Sequence, residues 1–375
     1  MREKVYNKFV ELFSGEATMF AAPGRINLIG EHTDYNGGFV FPGAIDKEMV
    51  AAIRLNGTDK VRVYALDMNQ ESIFGLEEED KPAETWAHYI FGVCREIIKR
   101  GGKIGGFDAT FAGNVPLGAG MSSSAALESL FATALNDLFN LGIDKFELAR
   151  IGQATEHNYC GVKCGIMDQF ASIFGKEGCL MRLDCRSMEF EYFPFSPKGY
   201  KLLLLDSKVK HALVGSPYND RRESCERVAA KLDREFLRGA SMQSLEDIKG
   251  EISEEDYKRA YYVIGEEARV LSVCDALQKG DYEQVGRDMY ATHWGLSKDY
   301  EVSCEELDFL VNVAQEAGVT GSRLMGGGFG GCTINLVKEE LYDHFIGTAL
   351  SRFKDQFGHE PQVYDVVISP GARRL

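Results

Sequence analysis

The chain has 375 residues, of which 45% are hydrophobic and 26% charged, and its formal net charge is −15. This length exceeds the usual size of a single hydrophobic core, so we expect two domains or one large unit with two lobes. The acidic balance excludes a general nucleic-acid surface, because a polyanion binder needs clustered Lys and Arg. No apolar run approaches the roughly 20 residues that cross a bilayer, so we expect no membrane partner.

The nine cysteines form no CxxC pair, and the seven histidines form no HxxxH pair. This pattern argues against a structural zinc site and predicts buried free thiols in a reducing compartment. The first residues, 1–6, begin an amphipathic helix pattern and lack the apolar core of a secretory signal. We therefore expect a cytoplasmic protein.

The first half of the chain alternates strand and helix patterns. Apolar residues at helical spacing predict helices at 2–14, 86–100, 123–140, 144–159 and 166–174. Short apolar or alternating runs predict strands at 18–22, 48–55, 60–67 and 107–112, the first of them ended by Pro23-Gly24.

The second half begins with strands and continues with helices. Strands are predicted at 179–184, 188–193 and 200–206, and helices at 219–232, 254–271 and 282–296. A strand at 332–337 is then followed by a helix and a closing strand around 362–368. The alternation of elements is richer in strands early in the chain and richer in helices late. This distribution favours an α+β fold over a doubly wound sheet. We predict two domains that share an interface, with bounds 1–190 and 191–375.

A loop rich in glycine and serine, residues 116–128, leads directly into a predicted helix. Glycines let the backbone approach a ligand, and the N–H groups of a first helical turn are free to bind phosphate. The loop is not a Walker A motif, because no GK[ST] occurs, and the chain has neither the HRD nor the DFG of protein kinases. The segment predicts a phosphate site of another kind.

Three segments together resemble the motifs of one enzyme superfamily. Residues 116–128 are similar to the ATP-binding motif of the GHMP kinases, and residues 321–332 resemble the glycine-rich third motif of that superfamily. The segment from Gly24 to Gly38, GRINLIGEHTDYNGG, resembles the signature of the galactokinase family within it. Similar stretches also cover 155–170 and 208–227.

The resemblance implies a fold and an activity. The fold is the two-domain GHMP kinase fold: an N-terminal domain like domain 2 of ribosomal protein S5, an α+β C-terminal domain, and an active site in the cleft between them. The activity is ATP-dependent phosphorylation of the anomeric C1 hydroxyl of D-galactose, which gives α-D-galactose 1-phosphate and ADP in the first committed step of the Leloir pathway. The implied partners are galactose and ATP, and we expect a monomer.

The sugar site is predicted from polar side chains in the first motif. Carboxylates and an imidazole suit the reading of sugar hydroxyls, each of which is both donor and acceptor. The resemblance assigns galactose binding to Glu31, His32, Thr33, Asp34, Gly165 and Tyr218.

The phosphoryl-transfer site is predicted from the same resemblance. Asp168 is the expected catalytic base, and the sequence leaves open whether it removes the proton of the C1 hydroxyl or chiefly positions that hydroxyl. Arg25 is expected beside the reacting hydroxyl and the γ-phosphate, where a fixed guanidinium stabilises charge. The resemblance further implies ATP contacts from Gly118, Ala119, Gly120, Met121, Ser122, Ser123 and Ser124, and a Mg²⁺ ion held by Ser124 and Glu156.

Two other functions fit parts of the same sequence. A sugar-1-kinase for N-acetylgalactosamine would share the hydroxyl-reading residues and differ only in the space around C2. A non-catalytic galactose sensor would bind both ligands without turnover. The intact serines of the phosphate loop, together with Arg25 and Asp168, argue against the sensor.

Overall fold

The computed structural model of the chain describes residues 1–209 and 217–375. Its strands, in chain order, are β1 Thr18–Asn27, β2 Phe39–Val40, β3 Pro42–Leu55, β4 Lys60–Ala65, β5 Gln70–Gly75, β6 Phe107–Gly113, β7 Cys179–Asp184, β8 Phe190–Pro194, β9 Tyr200–Asp206, β10 Gly321–Leu324, β11 Cys332–Lys338, β12 Gln362–Asp365 and β13 Arg373–Arg374. The middle of the family-like segment 208–227 lies outside the described residues.

The helices are α1 Arg2–Phe13, α2 Ala87–Lys99, α3 Ser123–Leu138, α4 Lys145–Thr155, α5 Met167–Phe174, α6 Tyr218–Lys231, α7 Met242–Asp247, α8 Glu254–Lys279, α9 Tyr282–Lys298, α10 Glu305–Glu316 and α11 Tyr342–Phe357. The predicted helices are present in the predicted order, and α7 and α10 are additional to them. A π-helical turn, Glu156–Cys160, continues α4, and a 3₁₀ turn covers Asp34–Asn36. Among these helices none combines the length and apolar character needed to span a bilayer.

The largest sheet has six strands in the order β13–β1–β3–β6–β4–β5. Neighbours are antiparallel except β4 and β6, which run parallel. Helix α1 packs on β3 and β6, while α3 and α5 pack on β1 and β3. These helices have buried apolar stripes, and covering a sheet on both faces removes those stripes from water.

The second half builds a four-stranded sheet in the order β10–β11–β9–β12, and β2, β7 and β8 form a small third sheet. Helices α10 and α11 pack beside the four-stranded sheet around a core that includes Leu203, Leu310 and Phe345. The main core joins both halves, since it contains Phe20 and Ile53 as well as Leu204 and Ile334. The last strand, β13, returns to pair with β1, and the division at residues 190 and 191 stays a prediction.

The first strand is longer than its sequence predicts. Pro23-Gly24 does not end β1, which continues to Asn27 through a register shift between Pro23 and Arg25. Strand β13 pairs only with Phe20 and Ala21, so β1 has a free edge at the proline, where a missing N–H is tolerated. A shift of this kind re-aims the following side chain. Here the re-aimed residue is Arg25.

Among the other differences from the predicted elements, three have local causes. Strand β5 was not predicted, because its sequence QESIFG has three polar residues followed by two adjacent apolar ones and so does not alternate. Strand β10 was hidden within the glycine-rich motif, since its sequence GSRL carries a buried arginine. Helix α8 extends to Lys279, where Gly280 ends it in the left-handed conformation.

All nine cysteines are free thiols, five of them buried and four half-buried.

Candidate active site

A cavity of about 330 Å³ opens between the two halves of the chain. It is lined by the first motif, the phosphate loop, the turn before α5, the start of α6 and the third motif. Its residues are Arg25, Glu31, His32, Asp34, Tyr89, Pro116, Gly118, Gly120, Met121, Ser122, Ser123, Ser124, Glu156, Val162, Cys164, Met167, Asp168, Gln169, Tyr218, Gly326 and Gly327. Segments far apart in sequence thus share one cleft.

Asp168 links the first motif to the phosphate loop. It lies in the first turn of α5, and its Oδ1 accepts a hydrogen bond from Arg25 Nε at 2.8 Å. Its Oδ2 accepts one from the Ser122 hydroxyl at 2.5 Å. Arg25 is 3% exposed and also donates to the carbonyl of Gly120. One carboxylate therefore fixes a buried guanidinium and a loop serine, and its side chain remains 29% exposed toward the cavity.

Glu31 is held by the third motif. Its Oε1 accepts from Arg323 Nη2 at 3.0 Å and from the backbone N–H of Gly326 at 2.9 Å. Arg323 is fully buried and also donates to the carbonyls of Asn27 and Leu28. Charge-assisted bonds of this kind are the strong ones, so the position of this carboxylate is well defined.

His32 is a neutral, buried imidazole. Burial and the nearby charge of Arg221 lower its pKa to about 3. Its Nδ1 lies 2.6 Å from the hydroxyl oxygen of Tyr35. The centroid of its ring lies 5.4 Å from the centroid of the Tyr218 ring. Its Nε2 makes no hydrogen bond of normal geometry among the described residues, although the backbone of Gly327 lies close enough to the ring to oppose the lowering of the pKa. A neutral imidazole with one unused nitrogen can donate to a ligand hydroxyl or accept from it, but not both.

Asp34 lies against the glycine of the segment before α5. A Cβ added at Gly165 would lie 2.1 Å from the carboxyl carbon of Asp34, so only glycine leaves room for this carboxylate. Burial, together with the charges of Asp168 and Glu31, raises the pKa of Asp34 to about 7, although the Tyr35 N–H opposes the shift. Gly165 therefore shapes the site through Asp34.

The raised pKa of Asp34 predicts a stability that depends on pH. An unfolded aspartate has a pKa of about 3.9, so the folded protein binds this proton more tightly. The protonated Asp34 contributes its full stabilisation below about pH 4, and this stabilisation is lost as the pH rises to about 7. An asparagine does not ionise, so the stability of Asp34→Asn does not fall in this way. We expect the difference in unfolding free energy, variant minus wild type, to widen by at most about 1.4 kcal/mol per pH unit in this window.

Thermal denaturation at pH 5, 6, 7 and 8 measures this difference. It should increase up to about pH 7 and then stay constant. Asp137→Asn, at an exposed aspartate of α3, is the matched control and should give no such trend. A constant difference for Asp34→Asn across the series contradicts the prediction.

The phosphate loop leaves the N-terminus of α3 open. Gly118 and Gly120 have positive φ angles of 72° and 76°, and Ser122 has a φ of 58°. Ser122 donates to Asp168 and does not cap the helix. The N–H groups of the first turn therefore remain available for an anion. The loop rests on the third motif, because a Cβ at Gly120 would lie 2.7 Å from the carbonyl oxygen of Met325.

A group of buried acids lies beside this helix. Burial raises the pKa of the Glu156 carboxylate to about 7, and the charge of Asp168 adds to this shift while the Ser124 hydroxyl opposes it. Glu128 stands one turn after Ser124 on the same face of α3, and Glu128, Glu156 and Cys160 place one ligand atom each within 4.8 Å of the others. Glu128 Oε1 has no hydrogen-bond partner among the described residues. Oxygen donors of this kind fit a hard divalent cation, which also compensates buried negative charge.

Three predicted residues do not line the cavity: Thr33, Ala119 and Gly165. The Thr33 hydroxyl donates to the carbonyls of Gly30 and Phe39 and so holds the first motif in shape. Sequence reasoning missed Tyr89, Gln169, Glu128 and Arg323. Of these, only Glu128 had a usable signal, its spacing of four residues from Ser124 on a predicted helix.

Comparison with known proteins gives the class first. The model for the N-terminal domain of GHMP kinases matches residues 88–176, and the model for their C-terminal domain matches residues 274–356. A mevalonate kinase from Methanococcus jannaschii has the same fold, with a TM-score of 0.68 at 18% identity over 95% of this chain and 99% of that one. The chain thus has the predicted two-domain α+β fold of the GHMP kinases.

Closer similarities give the family. The galactose-binding signature of galactokinases matches residues 7–55. The galactokinase of Clostridium beijerinckii is 39% identical over 98% of this chain and 97% of its own. The Lactococcus lactis galactokinase, solved in complex with galactose, superposes with a TM-score of 0.94 at 36% identity, over 99% of this chain and 98% of that one. The chain belongs to the galactokinases.

Proposed function

We propose that this chain transfers the γ-phosphoryl group of ATP to the anomeric C1 hydroxyl of D-galactose, giving α-D-galactose 1-phosphate and ADP. The reaction would be the first committed step of galactose catabolism by the Leloir pathway. Membership of the galactokinases supports the reaction. The position of Asp168 is the main support for the roles assigned to these residues. Asp168 accepts hydrogen bonds from both Arg25 of the first motif and Ser122 of the phosphate loop.

The proposed chemistry is an in-line displacement at phosphorus. A bond forms between the C1 oxygen and the γ-phosphorus, the bond from that phosphorus to the β,γ-bridging oxygen breaks, and the C1 hydroxyl proton passes to Asp168. Arg25 would stabilise charge on the transferring group, because its guanidinium is buried and fixed before reaction. A loose transition state asks little of a base, so Asp168 would also serve by orienting the hydroxyl.

Galactose would lie against the first motif. Glu31, His32 and Asp34 line one wall of the cavity, with Tyr218 packed on the imidazole. Buried polar groups left without partners reject a sugar whose hydroxyls point elsewhere. We assign Thr33 and Gly165 an indirect part, through the shape of the motif and the position of Asp34.

The nucleotide would bind across residues 118–124, with its phosphates at the N-terminus of α3 and its divalent ion, proposed to be Mg²⁺, held by Ser124 and Glu156. When bound, the ion would neutralise charge on the phosphate oxygens. Magnesium prefers few protein ligands, so one hydroxyl and one carboxylate suffice.

We further propose that the protein acts as a monomer in the cytoplasm. Nine free thiols suit a reducing compartment. The two domains are proposed to cover residues 1–190 and 191–375.

A coupled assay of ADP release over a panel of free sugars tests the function. Galactose, N-acetylgalactosamine, arabinose and glucose are each supplied with ATP and Mg²⁺, and Asp168→Asn is the control with strongly lowered kcat. We expect the highest kcat/KM with galactose. No ADP release with galactose would overturn the proposal, and a preference for N-acetylgalactosamine would overturn the assigned sugar.

A further inference from the structure

The imidazole of His32 terminates a chain of buried hydroxyls that connects the two halves of the protein. His32 Nδ1 lies 2.6 Å from the Tyr35 hydroxyl, which lies 2.7 Å from the Tyr300 hydroxyl. The Tyr300 hydroxyl in turn lies 3.3 Å from Cys225 Sγ. Tyr300 and Cys225 are at most 1% exposed, and Tyr35 is 6% exposed. Solvent is therefore excluded from this series of side chains. Each hydroxyl must then find its hydrogen-bond partners within the series, so the bonds have a defined order.

The direction of the bond at His32 follows from distance and chemistry. An N–H donor to oxygen usually lies about 2.7–3.2 Å away, and an O–H donor to oxygen about 2.5–3.0 Å away. The separation of 2.6 Å between Nδ1 and the Tyr35 oxygen is short for an N–H donor. A phenol is also a better donor than acceptor, and the bare nitrogen of a neutral imidazole is a good acceptor. Tyr35 accordingly donates to His32.

The remaining bonds then have one consistent order. Tyr35 has a single proton, so its oxygen must accept the proton of the Tyr300 hydroxyl. Tyr300 in turn accepts from the thiol of Cys225, which can act as a weak donor. In this order every hydrogen of the chain is used once.

We propose that Tyr35 and Tyr300 are positioning residues that hold His32 in the tautomer with its proton on Nε2, so that this N–H is the donor offered to the sugar. Nε2 belongs to a residue that lines the cavity and makes no hydrogen bond of normal geometry among the described residues, although the backbone of Gly327, which lines the same cavity, lies close to the ring. Neighbouring Glu31 and Asp34 supply carboxylate oxygens, which accept hydrogen bonds when ionised. A galactose hydroxyl that donates to a carboxylate and accepts from His32 would have both needs met. This inference rests on the proposed galactose site.

Nitrogen NMR of protein labelled with ¹⁵N-histidine tests the tautomer directly. Two-bond correlations between ¹⁵N and ¹H show which ring nitrogen carries the proton, and the spectrum of His32→Gln identifies the resonances. We expect wild-type His32 to have a bare Nδ1 and a protonated Nε2, with or without galactose. A proton on Nδ1 overturns the proposal, and this measurement needs no tyrosine variant to fold.

Kinetics of phenylalanine variants test the consequence. In Tyr35→Phe the tautomer is no longer fixed, and we expect the KM for galactose to rise roughly tenfold while kcat changes less than about threefold. Tyr300→Phe keeps the bond to His32, so its KM should rise less. Tyr290→Phe removes a hydroxyl bonded to the carbonyl of Val319, away from the cavity, and is the matched control with unchanged KM and tautomer.

The outcomes separate this proposal from the proposed function. Wild-type protein that neither binds nor phosphorylates galactose defeats the function, while the NMR result still decides the tautomer. If the wild-type protein is active and Tyr35→Phe keeps the wild-type KM and tautomer, the positioning role is wrong while the proposed function stands. A larger effect of Tyr300→Phe than of Tyr35→Phe also defeats it, because the assigned order of bonds would be wrong.

Discussion

Replacing Asp168 by asparagine is expected to lower kcat by about 10²–10⁴-fold, the usual contribution of a positioned general base. Asparagine has nearly the same size, and its amide oxygen can still accept from Arg25 Nε or from Ser122. It cannot take up the proton of the C1 hydroxyl. The KM for galactose should change much less than kcat, because the sugar-reading groups Glu31 and His32 are untouched.

The measurement is steady-state release of ADP, with galactose binding followed separately by calorimetry. Loss of the carboxylate leaves the buried Arg25 without its nearest counter-charge, so thermal denaturation must show that the variant is folded at the assay temperature. Asp137→Asn removes an exposed ion pair with Arg374 and should keep wild-type kcat. A folded Asp168→Asn protein with kcat within about fivefold of wild type would contradict a role in proton transfer.

Replacing Glu156 by glutamine is expected to lower kcat/KM for ATP by two to three orders of magnitude, because a catalytic metal ion contributes several kcal/mol through charge stabilisation. The fold should survive. Burial raises the pKa of Glu156 to about 7, so the ionised side chain opposes folding at higher pH, and a neutral amide removes this effect. At pH 8 we therefore expect a melting temperature equal to or above that of wild type.

Binding of Mn²⁺ followed by electron paramagnetic resonance, with a non-hydrolysable ATP analogue present, separates metal affinity from activity. The affinity should fall in Glu156→Gln and fall less in Glu128→Gln. Glu147→Gln, on the helix α4 that the π-helical turn of Glu156 continues, breaks ion pairs with Arg100 and Arg150 and serves as the control with unchanged affinity. An unaltered affinity in Glu156→Gln would remove this residue from the metal site.

Much of the fold could be predicted from periodicity. Helices such as α2 and α11 have apolar stripes that show their burial directly in the sequence. Elements with mixed signals were harder to predict. Strand β10 contains the fully buried Arg323, which no apolar pattern reveals, because its charge is compensated by Glu31 from a distant segment.

The candidate site divides in the same way. Its motifs were visible because glycine, serine and acidic residues occur in compact runs, and the family resemblance assigned their roles. The supporting side chains were not visible. Tyr300 lies in no motif, and its contact with Tyr35 joins positions 265 residues apart. Such contacts depend on how the two halves pack, which local patterns do not encode.

The sequence by itself determined the family, the α+β class and the reactive groups, since motif chemistry depends on which residues are present and how they are spaced. Only the tertiary structure decided how these groups meet. It brings Asp168 onto Arg25 across 143 residues, sets Gly165 against Asp34, and orders the hydroxyls behind His32. The physical reason is that protonation, tautomer and charge compensation depend on burial and on neighbours in space, and folding brings those neighbours together.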